Sequence, residues 1–144
     1  MTDAKDIREG GCLCGAVRFR ADVRQHAFNA CSCASCRRWG TGPFMAVHCV
    51  DVAFEGEPAR YRSSDWAERG FCAACGSNLF YRVLSWEETE FELSVGALDD
   101  QSGLKVTGEI FCDNQQGIYA LAGLESRLTE AEALARFAPA EDRA

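Results

Sequence analysis

The chain has 144 residues, of which 47% are hydrophobic and 26% are charged, and its formal net charge is −7 at pH 7. This length predicts one domain with a single core. The negative charge disfavours a nucleic-acid partner, because a broad interface with phosphates needs a basic surface. No apolar run approaches the roughly 20 residues of a membrane-spanning helix, and residues 1–9 lack the apolar stretch of a signal peptide. These features predict a cytoplasmic protein without a membrane partner.

Short strands dominate the predicted secondary structure. In residues 16–21, Val17 and Phe19 alternate with arginines, and such alternation is typical of a half-buried strand. After a flexible lead-in over residues 1–9, strands are expected at residues 16–21, 26–30, 44–50, 52–55, 60–62, 78–83, 90–95, 109–112 and 118–121. Many short strands and thirteen glycines predict a mostly-β domain.

One helix is predicted, close to the C-terminus. Thr129 and Glu132 have the spacing of a capping box, a pattern that begins helices, and Pro139 ends the helix because proline cannot continue one. The domain itself is expected to cover residues 10–126. The helix and tail in residues 127–144 are expected to belong to the same domain.

Nine cysteines are the unusual feature of the composition. An odd number without an export signal argues against a disulfide framework. Seven of the nine form two doublets and a triplet, which are Cys12 with Cys14, Cys72 with Cys75, and Cys31 with Cys33 and Cys36. In a reducing compartment, such tight spacings indicate metal binding more often than disulfides.

The two doublets predict a closed zinc site. Structural zinc is tetrahedral and often bound by four thiolates, and the doublets supply Cys12, Cys14, Cys72 and Cys75. A glycine follows each doublet, and glycine tolerates the positive φ of a sharp turn around an ion. Arg69 is a candidate to offset the negative charge of the four thiolates. The alternative is that both doublets are simply buried cysteines.

The triplet predicts a second, open metal site. Catalytic zinc commonly has three protein ligands and an open fourth position, and Cys31, Cys33 and Cys36 supply three thiolates within six residues. Arg37 and Arg38 follow and could hold a substrate carboxylate. Three alternatives stay open: a fourth ligand closes the site, the triplet is empty, or Cys33 and Cys36 act as a redox pair. The candidates for a fourth ligand are His48, Cys49 and Cys112.

The order and spacing of these motifs resemble the family of glutathione-dependent formaldehyde-activating enzymes. The shared motifs are Gly-Cys-x-Cys-Gly at residues 11–15, Cys-x-Cys-x-x-Cys-Arg at residues 31–37, Arg-Gly-Phe-Cys-x-x-Cys-Gly-Ser-x-Leu at residues 69–79 and Gly-Ala-Leu-Asp-Asp at residues 96–100. The resemblance extends to about residue 111. It implies a zinc-stapled β-tent domain of short antiparallel strands with one short C-terminal helix.

The resemblance also implies the metal sites and the chemistry. It implies a structural zinc on Cys12, Cys14, Cys72 and Cys75, and a second zinc on Cys31, Cys33 and Cys36. The implied activity is that of a carbon–sulfur lyase acting on adducts of glutathione and an aldehyde, with glutathione as co-substrate. Arg37 is a candidate glutathione contact, and small β domains often pair, so a homodimer is one candidate assembly.

Two positions depart from the family pattern. Members often have histidine between the first two triplet cysteines, where this chain has Ser32, and histidine before a late Ile-Phe pair, where this chain has Glu109. These departures leave two alternatives to an enzyme. One is a zinc-stabilised module that binds a protein or a small thiol without catalysis, and the other is a redox-responsive zinc protein.

Overall fold

Strands dominate the observed secondary structure. The structure is a computed structural model that describes residues 4–139, and in this range it has ten strands and two α-helices. The strands are β1 (Ile7–Gly11), β2 (Arg18–Val23), β3 (Ala27–Cys31), β4 (Phe44–Glu55), β5 (Ala59–Arg62), β6 (Ala67–Phe71), β7 (Asn78–Val83), β8 (Phe91–Ser94), β9 (Lys105–Ile110) and β10 (Ser126–Leu128). The helices are α1 (Ala34–Gly40) and α2 (Glu130–Phe137). The predicted mostly-β fold with a short C-terminal helix is confirmed.

The described chain divides into two compact units. The first comprises residues 4–27 and 46–104, and the second comprises residues 28–45 and 105–139. The single domain predicted for residues 10–126 stays a prediction. None of the helices in the described range has the length and apolar run needed to span a membrane.

Antiparallel pairing organises the first unit. Strand β2 pairs with β1 and with β4, and β4 pairs with β8. Strands β7, β6 and β5 then follow β8 in order, each antiparallel to its neighbour. In the second unit, the first residues of β4 pair antiparallel with β3, and β9 is the neighbour of β3. Strand β10 pairs parallel with β9, so the expectation of antiparallel strands is wrong for β10.

Strand β1 corrects the predicted lead-in. Residues 7–9 were expected to be flexible, but they pair in antiparallel register with residues 20–22 of β2. The sequence of β1 lacks the apolar alternation that is typical of a strand, because it contains two charged side chains and two glycines. Its stability comes from the partner strand rather than from its own pattern.

Strand β4 joins two segments that were predicted separately. The expected break between residues 44–50 and 52–55 is a β-bulge at Asp51, whose φ of 52° is left-handed. The register with β2 shifts at this point, from Arg20 opposite Ala53 to Asp22 opposite Val50. One additional residue on β4 is therefore accommodated without ending the strand.

Two further expectations are wrong. Helix α1 was not predicted, because seven residues are too few to show a helical period. Residues 118–121 were expected to form a strand but belong to none of the elements of the described chain. Helix α2 was predicted correctly: the Thr129 hydroxyl accepts the N–H of Glu132, and the Glu132 carboxylate accepts the N–H of Thr129.

Four phenylalanines form the centre of the first unit. The rings of Phe80 and Phe91 lie 4.6 Å apart, and Phe54 lies 5.8 Å and 5.4 Å from them. Phe19 contacts Phe54 edge-on at 6.1 Å. Burial of aromatic side chains at these angles stabilises the sheet that contains β1 and β6, the strands that precede the two cysteine doublets.

Gly70 on β6 is required by this aromatic centre. A Cβ atom at Gly70 would overlap the ring of Phe80, which is fully buried and packs against Phe54 and Phe91. We expect Gly70→Ala to lower the free energy of unfolding by about 2–3 kcal/mol, the upper range for an overpacked core. Gly96→Ala is the matched control, because a Cβ atom there meets nothing within 4 Å. Equal denaturant midpoints for the two variants would contradict this role of Gly70.

Candidate metal centres

The two cysteine doublets meet in the first unit. The sulfur atoms of Cys12, Cys14, Cys72 and Cys75 all lie within 4.8 Å of one another. Cys12 and Cys72 are buried, whereas Cys14 is exposed. Residues 12–15 follow β1 and residues 72–76 follow β6, so the cluster joins two loops that are far apart in sequence.

The two loops turn tightly around their sulfur atoms. Gly15 and Gly76 have φ values of 82° and 78°, which side chains with a Cβ disfavour. The N–H of Val17 donates to Cys12 Sγ at 3.2 Å, and the N–H of Cys75 donates to Cys72 Sγ at 3.4 Å. Hydrogen bonds of this kind stabilise negative charge on sulfur.

Ser77 links the two loops. Its hydroxyl accepts the N–H of Leu13 at 2.9 Å and lies 3.2 Å from Cys75 Sγ. The hydrogen bonds from the Ser77 side chain and backbone lower the pKa of Cys75 to about 5. At neutral pH this side chain is therefore prepared to act as a thiolate ligand.

The spacing of the sulfur atoms fits a tetrahedral zinc ion. Cys12 Sγ lies 3.7 Å from Cys14 Sγ, which lies 3.8 Å from Cys72 Sγ. Four sulfurs at the Zn–S distance of about 2.3 Å would be about 3.8 Å apart. All nine cysteines are free thiols, so these short distances are not those of disulfides. The donor set and its dimensions therefore match a closed zinc site.

The triplet forms a second cluster, in the second unit. The sulfur atoms of Cys31, Cys33 and Cys36 lie within 4.8 Å of one another. Cys31 ends β3, Cys33 is the N-cap of α1, and Cys36 lies in the first turn of that helix. The Cys33 sulfur accepts the N–H of Cys36 at 3.3 Å. The strand-to-helix turn thus directs all three thiols to one point.

The charge balance of the triplet favours a cation at its centre. The hydrogen bonds with Cys33 and Cys36, and then burial, raise the pKa of Cys31. Three thiols this close cannot all ionise, because each thiolate repels the others. A zinc ion removes this obstacle, since a coordinated thiol is held as thiolate. The three donors therefore fit a metal ion and leave a fourth position open.

None of the three predicted candidates joins the triplet as a fourth ligand within residues 4–139. His48 lies in the first unit, where its Nε2 is 2.8 Å from Glu90 and its Nδ1 is 3.5 Å from Glu92. Cys49 is fully buried, and burial raises its pKa to about 12. Cys112 lies on a short 3₁₀ turn after β9.

The two arginines that were predicted to assist the metal sites, Arg37 and Arg69, lie in different surroundings. Arg37 on α1 is half-buried, and its Nε atom is buried without a hydrogen-bond partner in the described part of the chain. Arg69 on β6 is 5% exposed, and its guanidinium lies 5.3 Å from the centre of the Tyr81 ring. The role of Arg69 beside the four thiolates stays a prediction.

A polar network beside the triplet was not predicted. Ser32, between two triplet cysteines, donates its hydroxyl to Glu109 at 3.0 Å and lies 2.9 Å from the hydroxyl of Tyr119. Arg127 donates to the other carboxylate oxygen of Glu109 at 3.2 Å. The two residues that depart from the family pattern, Ser32 and Glu109, therefore contact each other. The only sign of this network in the sequence was the charged residue Glu109 between Gly108 and Ile110 near the end of β9. Its hydrogen-bond partners lie up to 77 residues away.

Comparisons with known proteins identify three that this chain resembles. An uncharacterized lyase of Schizosaccharomyces pombe is 28% identical over 129 residues, which cover 88% of this chain and 93% of that protein. A putative glutathione-dependent formaldehyde-activating enzyme of Halomonas elongata is 32% identical over 57% of this chain and 60% of its own length. The crystal structure of a Rhodobacter sphaeroides protein superimposes with a TM-score of 0.54 at 24% identity, over 63% of this chain and 87% of that chain. That likeness concerns the fold alone.

A mostly-β fold with one four-cysteine and one three-cysteine cluster defines a class of small proteins with two potential metal centres. The family model described as glutathione-dependent formaldehyde-activating enzyme matches residues 7–114. This chain belongs to that family. The matched range contains both clusters, and it also contains Ser32 and Glu109.

Proposed function

We propose that the chain is a zinc-dependent carbon–sulfur lyase that makes or breaks adducts of glutathione and a small aldehyde, such as S-hydroxymethylglutathione. The observation that most directly supports this proposal is the triplet, in which three sulfur atoms converge and no fourth ligand completes the set within the described residues. Family membership supports the same reaction. The Halomonas elongata relative is described as a putative glutathione-dependent formaldehyde-activating enzyme, and the Schizosaccharomyces pombe relative as a lyase.

The triplet and its surroundings have distinct roles in this proposal. Cys31, Cys33 and Cys36 hold the metal, which when bound supplies a Lewis acid that keeps an incoming thiol ionised as a nucleophile. Arg37, one residue beyond the triplet, binds a carboxylate of glutathione through its guanidinium. Its Nε atom, which lacks a partner among the described residues, favours such a ligand because an unsatisfied buried donor is costly.

The four-cysteine cluster has a structural role in this proposal. Its ligand set is complete, so it offers no position for substrate. Bound zinc would hold the loops after β1 and β6 together. The proposed compartment is the cytoplasm, because nine free thiols persist most easily where the environment is reducing.

The direct test is to mix zinc-loaded protein with glutathione and formaldehyde and follow adduct formation by NMR. We expect a rate above the uncatalysed one that increases in proportion to protein concentration, and that is lost when a chelator removes zinc. A chelator-treated sample restored with zinc is the control. The absence of acceleration with formaldehyde and with several other aldehydes would contradict the proposal and would favour a non-catalytic zinc-stabilised binding module.

A further inference from the structure

The first unit contains a cavity to which neither cysteine cluster contributes. Its volume is about 640 Å³, which is within the range of small-molecule sites. Its wall consists of two arginines, a tryptophan, a leucine and a glutamate, which are Arg60, Arg82, Trp86, Leu84 and Glu88. All five belong to the first unit, on β5, on β7 and in the loop after β7. Positive, negative and apolar side chains therefore line one space.

Arg82 has hydrogen-bond donors that the described chain does not satisfy. Its side chain is 9% exposed, and its Nη1 lies 3.6 Å from Glu68 Oε1, a distance too long for a hydrogen bond. Its Nη2 donates to the carbonyls of Trp86 and Glu87 at 2.9 Å and 3.3 Å. Its Nε is buried and has no partner among residues 4–139. Unsatisfied buried donors are costly, so this guanidinium favours a further acceptor in the cavity that it lines.

Arg60 brings a second guanidinium to the cavity. Its Nη1 donates to Glu68 Oε1 at 2.6 Å, the same oxygen that pairs with Arg82. The guanidinium also lies 5.2 Å from the centre of the Phe80 ring, a contact that holds it against the sheet. Glu68 balances one of the two positive charges. The remaining charge matches a carboxylate, which has one negative charge and two oxygens that suit the planar fork of a guanidinium.

Glu88 gives the cavity a second carboxylate. It is exposed and lines the cavity, and none of the ion pairs in the described range contains it. Two guanidiniums and two carboxylates, the other being Glu68, give a net charge of zero. A ligand that matches this balance has one negative and one positive group. Leu84 and the half-buried Trp86 add an apolar surface.

We propose that this cavity binds a free α-amino acid with an apolar side chain. The carboxylate of the ligand lies between Arg60 and Arg82, and its ammonium group pairs with Glu88. Its side chain packs against Leu84 and Trp86. The site is separate from the proposed reaction and does not depend on it, because binding here makes and breaks no covalent bond.

Titration of the full chain with L-leucine tests the site. The indole N–H signal of Trp86 in NMR spectra, assigned by its loss in Trp86→Phe, reports binding. We expect a shift that saturates with L-leucine. Isocaproate lacks the ammonium group and isoamylamine lacks the carboxylate, and each should bind at least about tenfold more weakly, the effect of one lost charge-assisted hydrogen bond. A signal that does not shift with L-leucine would overturn the proposal, and so would isocaproate or inorganic phosphate binding as tightly as L-leucine.

Arg60→Gln and Glu88→Gln test the two charged ends of the site. Each should raise the Kd of L-leucine about tenfold, whereas Glu88→Gln should not weaken the binding of isocaproate. Arg62→Gln and Glu87→Gln are the matched controls, because both side chains are exposed and lie outside the cavity wall, and both should keep the wild-type Kd. Variants that bind L-leucine as their controls do would overturn the proposal. If Arg60→Gln does not fold, Glu88→Gln alone decides.

Discussion

Cys72→Ala is expected to abolish the stable fold of the first unit. Cys72 is 1% exposed and belongs to the four-cysteine cluster. Structural zinc in small domains contributes on the order of 10 kcal/mol to folding, whereas the net stability of a domain is only about 5–15 kcal/mol. Loss of one thiolate of four would therefore remove most of the stability, and we expect zinc release together with a cooperative unfolding transition that is lost or strongly shifted.

Cys49→Ala is the matched control for this experiment. Cys49 is also fully buried in the first unit, and its sulfur donates to the carbonyl of Val47 rather than joining a cluster. Each substitution removes one buried sulfur atom, so the difference between the two variants isolates the contribution of the metal. Zinc content and denaturant midpoints measured on both would decide. Similar midpoints with unchanged zinc would show that the doublets are ordinary buried cysteines.

Cys33→Ser is expected to reduce turnover of the glutathione–aldehyde adduct to the uncatalysed rate while the protein stays folded. The side chain at position 33 caps α1 by accepting the N–H of Cys36. Serine is among the preferred N-cap residues, so this substitution removes the thiolate but keeps the cap. The thermal unfolding midpoint should therefore change little, in contrast to Cys72→Ala.

Cys112→Ser is the control for Cys33→Ser. Cys112 is half-buried in the same unit and lies outside the triplet cluster, so its replacement should leave turnover unchanged. Initial rates of adduct formation, measured beside circular dichroism melts, separate loss of chemistry from loss of fold. Turnover that survives in Cys33→Ser would refute a catalytic role for the triplet. Turnover lost equally in Cys112→Ser would mean that the loss is not specific to the triplet cysteines.

The cysteine clusters could be predicted because their information is local and chemical. Each doublet or triplet lies within six residues, and thiolates have few uses in a reducing compartment other than metal binding and redox chemistry. Helix α2 was predictable for a similar reason, since Thr129 and Glu132 satisfy each other's backbone groups across one turn. Such patterns can be recognised without knowing what packs against them.

The parts that could not be predicted depend on distant partners. Strand β1 has two glycines and no alternation, and only its pairing with β2 makes it a strand. The hydrogen bond between Ser32 and Glu109 joins residues 77 positions apart. The Ser32 hydroxyl also contacts the hydroxyl of Tyr119, which is equally distant in the sequence. Helix α1 depends on the turn that Cys33 and Cys36 make together. Tertiary contacts of this kind leave no short-range pattern.

Zinc per chain, measured by mass spectrometry on native protein and on Cys33→Ser, tests the two-centre account most directly. The account predicts two zinc ions per chain in the native protein, one for each cluster, and one in the variant. The retained ion should resist a chelator, because its four ligands are complete. Native protein with one zinc ion, unchanged by the substitution, would contradict the account, since the triplet would then hold no metal and its thiols would be available for redox chemistry.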